Sequence, residues 1–322
     1  MTNNGSNGRG FANPYDLAIS QDERIFVLNR CDWTRKEAIR VGICNLDEEY
    51  LGEFGKGFGD ENEQFNLPVS LAFDSKDRVY VTDERLHRIT AFDSQGTFLF
   101  KWGEYGQEPG KLNGPAGIAF DTKDNAYVAD QHNHRIQKFT SDGKFLLSWG
   151  DLGEGEGQLN MPWGITVDSD GNVYVADWRN DRIQKFSQNG LFLAAFGETG
   201  DNNGQFNRPS DVAVDESGNI YVADWGNERV QILGPDGSFH QKLRGQATVS
   251  KWAEDFFAAN PDEWNTRLMA NLTPDLPPHL DNPYMESSQT DLYFWQPTSV
   301  ALDHEGRLYV AESRRHRFQI YE

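Results

Sequence analysis

Residues 175–186 read VADWRNDRIQKF, and residues 128–139, 47 positions earlier, read VADQHNHRIQKF. Related stretches occur at 81–92 (VTDERLHRITAF), 222–233 (VADWGNERVQIL) and 310–321 (VAESRRHRFQIY). A stretch that recurs at a fixed period is the sequence signature of a repeat architecture. The chain is therefore predicted to be built from copies of one unit of about 47 residues.

Each copy is marked by a proline with Phe or Leu three residues before it. The six prolines are separated by 54, 47, 47, 47 and 88 residues; they are Pro14, Pro68, Pro115, Pro162, Pro209 and Pro297. Within a copy, hydrophobic residues alternate with a period of two, as in 164–168, 173–177, 182–186 and 191–197. Turn-forming Gly, Asn and Asp residues separate these short segments, so each copy predicts four antiparallel strands. Six four-stranded units in radial repetition are typical of a β-propeller.

The chain resembles the NHL-repeat family of six-bladed propellers. The resemblance runs from about Phe11 to Glu322 and rests on the YVAD…NxRI…F pattern, of which VYVADWRNDRIQKF is one example. The first copy, IFVLNRCDWTRKEAIRVGI, diverges from that pattern. The resemblance implies an all-β fold and a single six-bladed propeller over 1–322, and the long gap before Pro297 adds a predicted helical insert between blades five and six.

The charge composition of the chain limits the classes of partner that we expect it to bind. The 322 residues include 30 basic and 50 acidic ones, which gives a net charge of −20. This charge repels phosphate backbones, so nucleic acid and anionic membranes are not expected as partners, and RNA binding, which some NHL propellers perform, is disfavoured. There is no run of 18 apolar residues, and the two cysteines, Cys31 and Cys44, give no disulfide framework and are expected to be reduced thiols. A cytoplasmic location is expected, although a removed signal peptide would leave the same sequence.

Residues that recur in every blade are interpreted as structural. An acid ends the second strand and an arginine follows five residues later, as in Asp177 and Arg182. We expect this pair to close the loop between the second and third strands by a charge-assisted hydrogen bond. Function is instead expected where the blades differ.

The resemblance also raises the question of zinc. One catalytic relative, the peptidyl-amidoglycolate lyase propeller, holds zinc with histidines placed directly after the blade prolines. Here those positions are Tyr15, Val69, Ala116, Trp163, Ser210 and Thr298. None is a histidine, so no zinc is expected on the channel axis and no cofactor is predicted. Three histidines share a loop position on other blades, namely His87, His134 and His316, and a solvated polar role is favoured for them over a metal ring.

Two acids stand out near the predicted channel. Asp16 and Asp211 lie two residues after their prolines, where other blades carry Ser or Gly. They would suit acid–base chemistry or a divalent cation, but backbone capping at the channel wall is favoured. With Tyr15 and Arg30 they are the candidate catalytic residues.

The long gap before Pro297 contains an insert, residues 246–293. The segment 250–259 predicts a helix opened by Ser250, and a second helix is expected from Pro261 with Asn260 as N-cap. A proline-rich coil, 273–283, follows. We expect the insert to lie on the channel-mouth face as a lid or wall.

A binding site is predicted at that face. Its expected members are Tyr15, Arg30, Trp163, Trp178, Trp225, Arg314 and Arg315, with Trp33 nearby. Aromatic walls with a few polar groups are typical of ligand or peptide sites. The predicted function is binding of a small ligand or protein segment, and the alternative is a non-zinc lyase or hydrolase acting on a small acidic or aromatic substrate. A purely structural interpretation places the tryptophans under the insert and pairs the arginines with acidic loops.

Ring closure can be predicted as well. A fourth strand is recognisable in blades one to five, but the chain ends at Glu322, directly after the third strand of blade six. Blade six should therefore have three strands, with residues 1–9 forming an irregular tail.

Overall fold

The fold of the chain is seen in a computed structural model that describes residues 10–31 and 33–322, except the side chain of Trp33. This part contains six antiparallel sheets arranged as propeller blades, and three α-helices between blades five and six. The six-bladed propeller with a helical insert is thus confirmed. The predicted tail 1–9 lies outside the described residues.

The first three blades each have four strands. Blade one consists of β1 (Pro14–Ile19), β2 (Ile25–Asn29), β3 (Arg40–Cys44) and β4 (Tyr50–Phe54). Blade two consists of β5 (Pro68–Phe73), β6 (Val79–Asp83), β7 (Arg88–Phe92) and β8 (Phe98–Trp102). Blade three consists of β9 (Pro115–Phe120), β10 (Asn125–Asp130), β11 (Arg135–Thr140) and β12 (Phe145–Trp149).

The remaining blades flank the insert. Blade four consists of β13 (Pro162–Val167), β14 (Val173–Asp177), β15 (Arg182–Phe186) and β16 (Phe192–Phe196). Blade five consists of β17 (Pro209–Val214), β18 (Ile220–Asp224), β19 (Arg229–Leu233) and β20 (Phe239–Leu243). The insert contains α1 (Lys251–Ala259), α2 (Pro261–Met269) and α3 (Pro283–Gln289). Blade six consists of β21 (Pro297–Leu302), β22 (Leu308–Glu312) and β23 (Arg317–Tyr321).

The ring closes where blade six meets blade one. The inner strands β1 and β21 are neighbours. The Ser299 hydroxyl donates to Oδ1 of Asp16 at 2.5 Å, and the Asn13 amide donates to Nδ1 of His316 at 2.9 Å. Within the described residues blade six has three strands, and these side-by-side contacts join it to blade one.

The core lies between neighbouring blades. The residue three positions before the proline is completely buried in five of the six copies: Phe65, Leu112, Leu159, Phe206 and Phe294. Alternate residues of the second and third strands pack around these side chains. Between blades three and four, for example, Val173, Val175 and Ile136 share one core cluster with Leu159. The hydrophobic residue three positions before the proline therefore fills the interface between two neighbouring blades.

The recurring acid–arginine pair is structural, as the sequence predicts. In blade four the buried carboxylate of Asp177 accepts from Nε of Arg182 at 2.9 Å and also from the side chains of Asn180 and Gln184. The rest of the Arg182 guanidinium donates to the carbonyls of the connection from blade three, 154–158. The same arrangement recurs in blades three and five, and blade six keeps the ion pair of Glu312 with Arg317 and the bond from Gln319. The pair thus closes its own loop and also anchors the preceding inter-blade connection.

Blade two departs from this arrangement. Leu86 and Thr90 stand where other blades place the Asn and Gln that bond the acid. Arg88 still donates to three carbonyls of the connection before it, but no ion pair with Asp83 is found among the described residues. Its Nε is buried without a hydrogen-bond partner there. Blade two therefore has the weakest version of the repeat network.

The insert helices begin largely where the sequence predicts. The Ser250 hydroxyl accepts from the Ala253 amide and caps α1. Asn260 precedes α2, but its side-chain amide donates back to the Phe256 carbonyl and does not cap that helix. The helix α3, which begins at Pro283 with Asn282 as its N-cap, was not predicted from the sequence. None of the described helices is long and apolar enough to cross a membrane.

The position of the insert differs from the prediction. The side chains of Lys251 and Trp252 donate to the carbonyls of Asp47 and Glu48, in the turn between β3 and β4. In a four-stranded meander this turn lies at the opposite end from the loop between strands two and three, and hence away from the channel mouth. At the mouth end, α3 lies beside the turn Trp225–Asn227 of blade five, and Arg267 of α2 pairs with Asp291 at 2.6 Å. The insert as a whole is therefore a wall along the outer edge of blade six and not a lid over the mouth.

Candidate functional site

Aromatic rings cross the mouth of the channel in a row. Tyr15 follows the proline of blade one and Trp163 follows that of blade four, and their ring centroids are 6.4 Å apart. Trp178, in the short turn after β14, lies 5.9 Å from Trp163. Pairs at this separation and tilt are favourable for aromatic rings. Three of the predicted site residues therefore come together.

Arginines extend the row at both ends. The Arg30 guanidinium lies 4.6 Å from the Tyr15 ring centroid and pairs with Glu84 at 2.7 Å. At the other end, Arg208 lies 5.1 Å from the Trp178 ring centroid. We call Arg30, Tyr15, Trp163, Trp178 and Arg208 the channel-mouth row.

Two of the arginines near Trp178 were missed in the sequence. Arg208 directly precedes the blade-five proline, and Arg179 directly follows Trp178, with its guanidinium 5.5 Å from that ring. Both could have been found in the sequence, because each lies next to a residue that marks its position in the repeat, either the blade proline or the tryptophan after the repeat Asp. Because both side chains are exposed, their charge is available to a partner.

The rings of the row are half-buried, and the space between them is small. The depression lined by Tyr15, Trp163 and neighbouring inner-strand residues has a volume of about 10 Å³. That is roughly the room for one water molecule. This depression is therefore too small to enclose a small molecule. Burial raises the pKa of the Tyr15 hydroxyl, with Arg30 acting in the opposite direction.

The acids Asp16 and Asp211 lie just below the row and cap backbone groups of the next blade. Oδ2 of Asp16 accepts from the Leu71 amide of blade two at 2.8 Å, and Oδ2 of Asp211 accepts from the Val300 amide of blade six at 3.0 Å. Backbone capping, the favoured interpretation, is thus what the structure contains. The capping joins neighbouring blades at the axis.

The two carboxylates also influence each other. Burial is the main cause that raises the pKa of Asp211 well above its ordinary value, and the negative charge of Asp16 adds to it. Burial likewise raises the pKa of Asp16, whereas hydrogen bonds from Ser299 and Leu71 oppose the rise. A proton is therefore held more tightly by this pair than by exposed carboxyl groups.

The loop position shared by three histidines has a structural role that the sequence did not reveal. Nδ1 of His87 accepts from the Gly114 amide at 3.0 Å, and Nδ1 of His134 accepts from the Met161 amide at 3.1 Å. His316, Asp181 and Glu228 do the same for Asn13, Arg208 and Gln296. Each acceptor receives the amide just before the next blade's proline. These residues are therefore inter-blade hydrogen-bond acceptors, neither solvated polar groups nor a metal ring.

The geometry of the described residues gives little support to a metal site. Among the described residues, the candidate cluster of possible ligands is Glu23, His304 and Glu305, which is largely exposed. Arg307 already pairs with both of its carboxylates, at 2.8 and 3.0 Å. The absence of zinc from the channel axis stays a prediction.

Three predicted site residues lie away from the channel-mouth row. Trp225 occupies the position of Trp178 on blade five, but no aromatic or cation contact of its ring is found in the described part of the chain. Arg315 donates to the carbonyls of Ser287, Ser288 and Thr290 and so holds the end of α3. Arg314 is exposed at the rim of the groove beside the insert. The single site predicted from sequence is therefore divided between two places.

That groove is lined by residues of blade one, the insert and blade six. It has a volume of about 700 Å³ and lies between β23, α1 and the blade-one turn that contains Glu48. Its lining includes the insert aromatics Trp252, Phe256 and Phe257. We call it the blade-six groove.

Comparison with known protein families agrees with this architecture. The NHL repeat model matches residues 112–139, 159–186, 206–233 and 294–321, which are the first three strands of blades three to six. Blade two carries the same pattern but is not among the matched stretches, in keeping with its substituted network. No curated protein shows significant sequence similarity to the chain.

Solved structures share the fold at low sequence identity. A structural genomics protein of unknown function from Bacteroides thetaiotaomicron is 18% identical, with a TM-score of 0.65 over 98% of this chain and 70% of that chain. A streptogramin B lyase structure is 13% identical, with a TM-score of 0.57 over 98% and 96% of the two chains. A chain of a nidogen/laminin complex is 17% identical, with a TM-score of 0.53 over 71% and 79%. These similarities to solved structures are similarities of fold. Together with the matched repeats and the six sheets, they show that the chain is a six-bladed β-propeller that contains NHL repeats.

Proposed function

We propose that the chain is a binding module that recognises a segment of a partner protein through the channel-mouth row. The observation that carries the proposal is the run of half-buried rings from Tyr15 through Trp163 to Trp178, with Arg30 and Arg208 at its ends. Trp, Tyr and Arg are the residues most enriched among binding hot spots. Here they are found together at the centre of one face.

The shape of the surface favours a protein segment over a small molecule. Small-molecule sites are clefts of roughly 300–1,000 Å³ that bury most of the ligand. The depression at the mouth, about 10 Å³, is far below that range. A flat aromatic surface is instead suited to contacts with side chains of another protein, because its rings are large and lose little entropy on binding.

The electrostatics favour an acidic or aromatic segment. Arg179 and Arg208 are exposed beside Trp178 in a protein of net charge −20. Arginine bonds carboxylates through two parallel N–H groups and also stacks on aromatic rings. The arginines would therefore select partners that carry Asp, Glu or an aromatic side chain.

The proposal is tested by selecting peptides from a displayed random library on the wild-type protein. Their affinity is then measured for Trp178→Ala and for Trp225→Ala, the matched variant at the same repeat position outside the row. We expect Trp178→Ala to weaken binding at least about tenfold and Trp225→Ala to leave it unchanged. The proposal is wrong if the two variants behave alike.

Stability measurements separate binding from packing. Because the Trp178 ring is half-buried, its removal should cost well below the roughly 3–5 kcal/mol expected for a core tryptophan. A cost in that higher range would mean that Trp178 supports the fold. Binding losses in the variant would then say nothing about a partner.

An enzymatic role at the same face is a second candidate, favoured by one observation. Burial beside Asp16 raises the pKa of Asp211, which is the direction of shift that a carboxyl acting as a proton donor requires. Lyase-type propellers also share the fold, although at 13% identity. The geometry weakens this candidate, since both carboxylates already accept backbone amides. Turnover of a small acidic or aromatic substrate that is lost in Asp211→Asn would support it.

A further inference from the structure

Exposed arginines lie around the channel-mouth row. The second residue after the repeat acid is basic in four of the six blades, at Arg85, His132, Arg179 and Arg314. In blade four the Arg179 guanidinium lies 5.5 Å from the Trp178 ring centroid, and Arg208 lies 5.1 Å from it. We call Arg85, Arg179 and Arg208 the mouth arginines. All three are exposed, and none has a carboxylate within ion-pair distance among the described residues.

Exposed acids lie on the outer side of the mouth arginines. Each of the four connections between blades one and five carries at least one of them, and every connection begins at the outermost strand of its blade. These acids, which we call the acidic rim, are Asp60, Glu61, Glu108, Glu154, Glu156 and Asp201. The lysines of these connections, Lys56 and Lys111, pair instead with Glu63 and Glu104. The rim therefore keeps its negative charge.

The repeat network fixes the rim in place. The repeat arginine of the following blade donates to the carbonyls of each connection, as Arg182 does to Glu154 and Gly155 at 2.8 Å. Arg88 binds the carbonyls of Asp60 and Glu61 at 2.7 Å in the same way. These guanidinium groups bind the backbone of the rim, so its carboxylates stay available to a partner. The rim and the mouth arginines therefore hold fixed positions relative to one another.

The two sets of charges restrict the order of charges in a partner. A carboxylate above Trp178 would meet Arg179 and Arg208, and arginine binds such groups through parallel N–H donors. A carboxylate farther out would instead meet the rim, and like charges placed against each other weaken a complex. Lysine or arginine at those outer places is attracted to the rim. A partner therefore matches both sets when acids lie at its centre and basic residues lie on either side.

We infer that the segment recognised at the channel mouth carries acidic residues at its centre and basic residues on both sides of them. The inference rests on the proposed function, because it specifies the partner of that same surface. The central acids pair with the mouth arginines. The flanking basic residues lie over Glu154 and Glu156 on the blade-four side, and over Asp60 and Glu61 on the blade-one side. Complementary charges of this kind give specificity and faster association more than affinity.

The test uses two displayed peptide libraries whose fixed residues have the same composition, KKXXXEEXXXKK and EKXXXKKXXXKE, where X is any residue. Both are selected on the full-length protein, and the affinities of the peptides are measured for the wild type and for Trp178→Ala. We expect Trp178-dependent peptides from the first library to bind at least about tenfold tighter than those from the second. Equal or tighter binding from the second library would overturn the charge order and leave the proposed function standing. A lack of Trp178-dependent peptides in both libraries would contradict the proposed function as well.

Charge-reversal variants test the centre and the rim separately. Arg179→Glu should weaken a peptide from the first library at least about tenfold. The double variant Glu154→Lys, Glu156→Lys should weaken it about threefold to tenfold, because exposed ion pairs contribute less. The control, Asp170→Lys with Glu216→Lys, makes the same change in net charge in turns on the opposite face and should have no effect. Equal affinities of the rim variant and the control, or unchanged binding to Arg179→Glu, would overturn the inference.

Discussion

At the scale of single residues, the blades are held together by side chains that accept hydrogen bonds from backbone amides. Asp177 accepts the Asn160 amide as well as its arginine, and His134 accepts the Met161 amide of the next blade. Each joins segments that are distant along the chain, so each is a link between blades. The repeated acids and histidines, which the sequence alone could suggest as a ring of catalytic or metal-binding groups, therefore have a structural role.

Replacing Asp177 by Ala should be strongly destabilising. The substitution leaves Arg182 and three other donors without their acceptor in a site with no solvent exposure. Breaking a buried pair by removing one partner costs about 3–5 kcal/mol. Denaturant unfolding of Asp177→Ala measures the loss, and Asp170→Ala, an exposed acid in the same blade, is the control. A cost near zero would contradict the structural role.

The histidine links should make stability depend on pH. Burial lowers the pKa of His134 below its ordinary value, with His132 adding to the effect, and Nδ1 accepts a hydrogen bond only in the neutral form. As the pH falls below about 6.5, the unfolded chain binds a proton that the folded chain resists, so the free energy of unfolding decreases.

His134→Asp isolates this effect, because Asp181 fills the same position naturally in blade four. Between pH 7.5 and 5.5 we expect the melting temperature of the wild type to fall relative to that of the variant. Thermal unfolding at several pH values is the measurement. Parallel curves would mean that protonation of His134 is not linked to folding.

At the scale of elements, α1 braces the turn between β3 and β4 of blade one. The last residue of a fourth strand packs over a turn glycine of the next blade, as Trp149 does over Gly190. Blade one has Glu48 at the position of Gly190, and Trp252 of α1 donates to its carbonyl and contacts Phe11 at 5.7 Å. A helix thus supplies the aromatic contact that a strand provides elsewhere.

Trp252→Ala should consequently destabilise the joint between blades six and one. The ring is half-buried, so the expected loss is about 2 kcal/mol, below the value for a core tryptophan. Trp264→Ala, a change on α2 within the same insert, should cost less, because Trp264 contacts Phe257 of the insert. Chemical denaturation of both variants is the comparison. Equal costs would contradict the bracing role of α1.

The strands were predictable because every blade repeats the same local pattern. Alternation, the proline and the turn residues specify the same strands in every copy. The position of the insert was not predictable, because it depends on Trp252 meeting Glu48, 204 positions away. For the same reason Arg314 and Trp163 were assigned to one site although the fold separates them.

At the scale of the whole molecule, ring closure and the proposed binding surface both lie near the axis. Asp16 of blade one bonds Leu71 of blade two and Ser299 of blade six, so one carboxylate connects three blades beneath the channel-mouth row. The rings above it rest on this rigid base. A rigid aromatic surface binds with little loss of entropy, which is the physical basis of the proposed function.

The most direct test of that function is a nitrogen-15 NMR spectrum of the tryptophan indole groups, recorded while a peptide selected on the wild-type protein is added. The nine tryptophans are assigned by single substitutions. We expect the indole signals of Trp163 and Trp178 to shift in proportion to saturation, whereas those of Trp252 and Trp264, in the insert, stay in place. Shifts confined to Trp252 and Trp264, with Trp163 and Trp178 unmoved, would contradict recognition at the channel mouth.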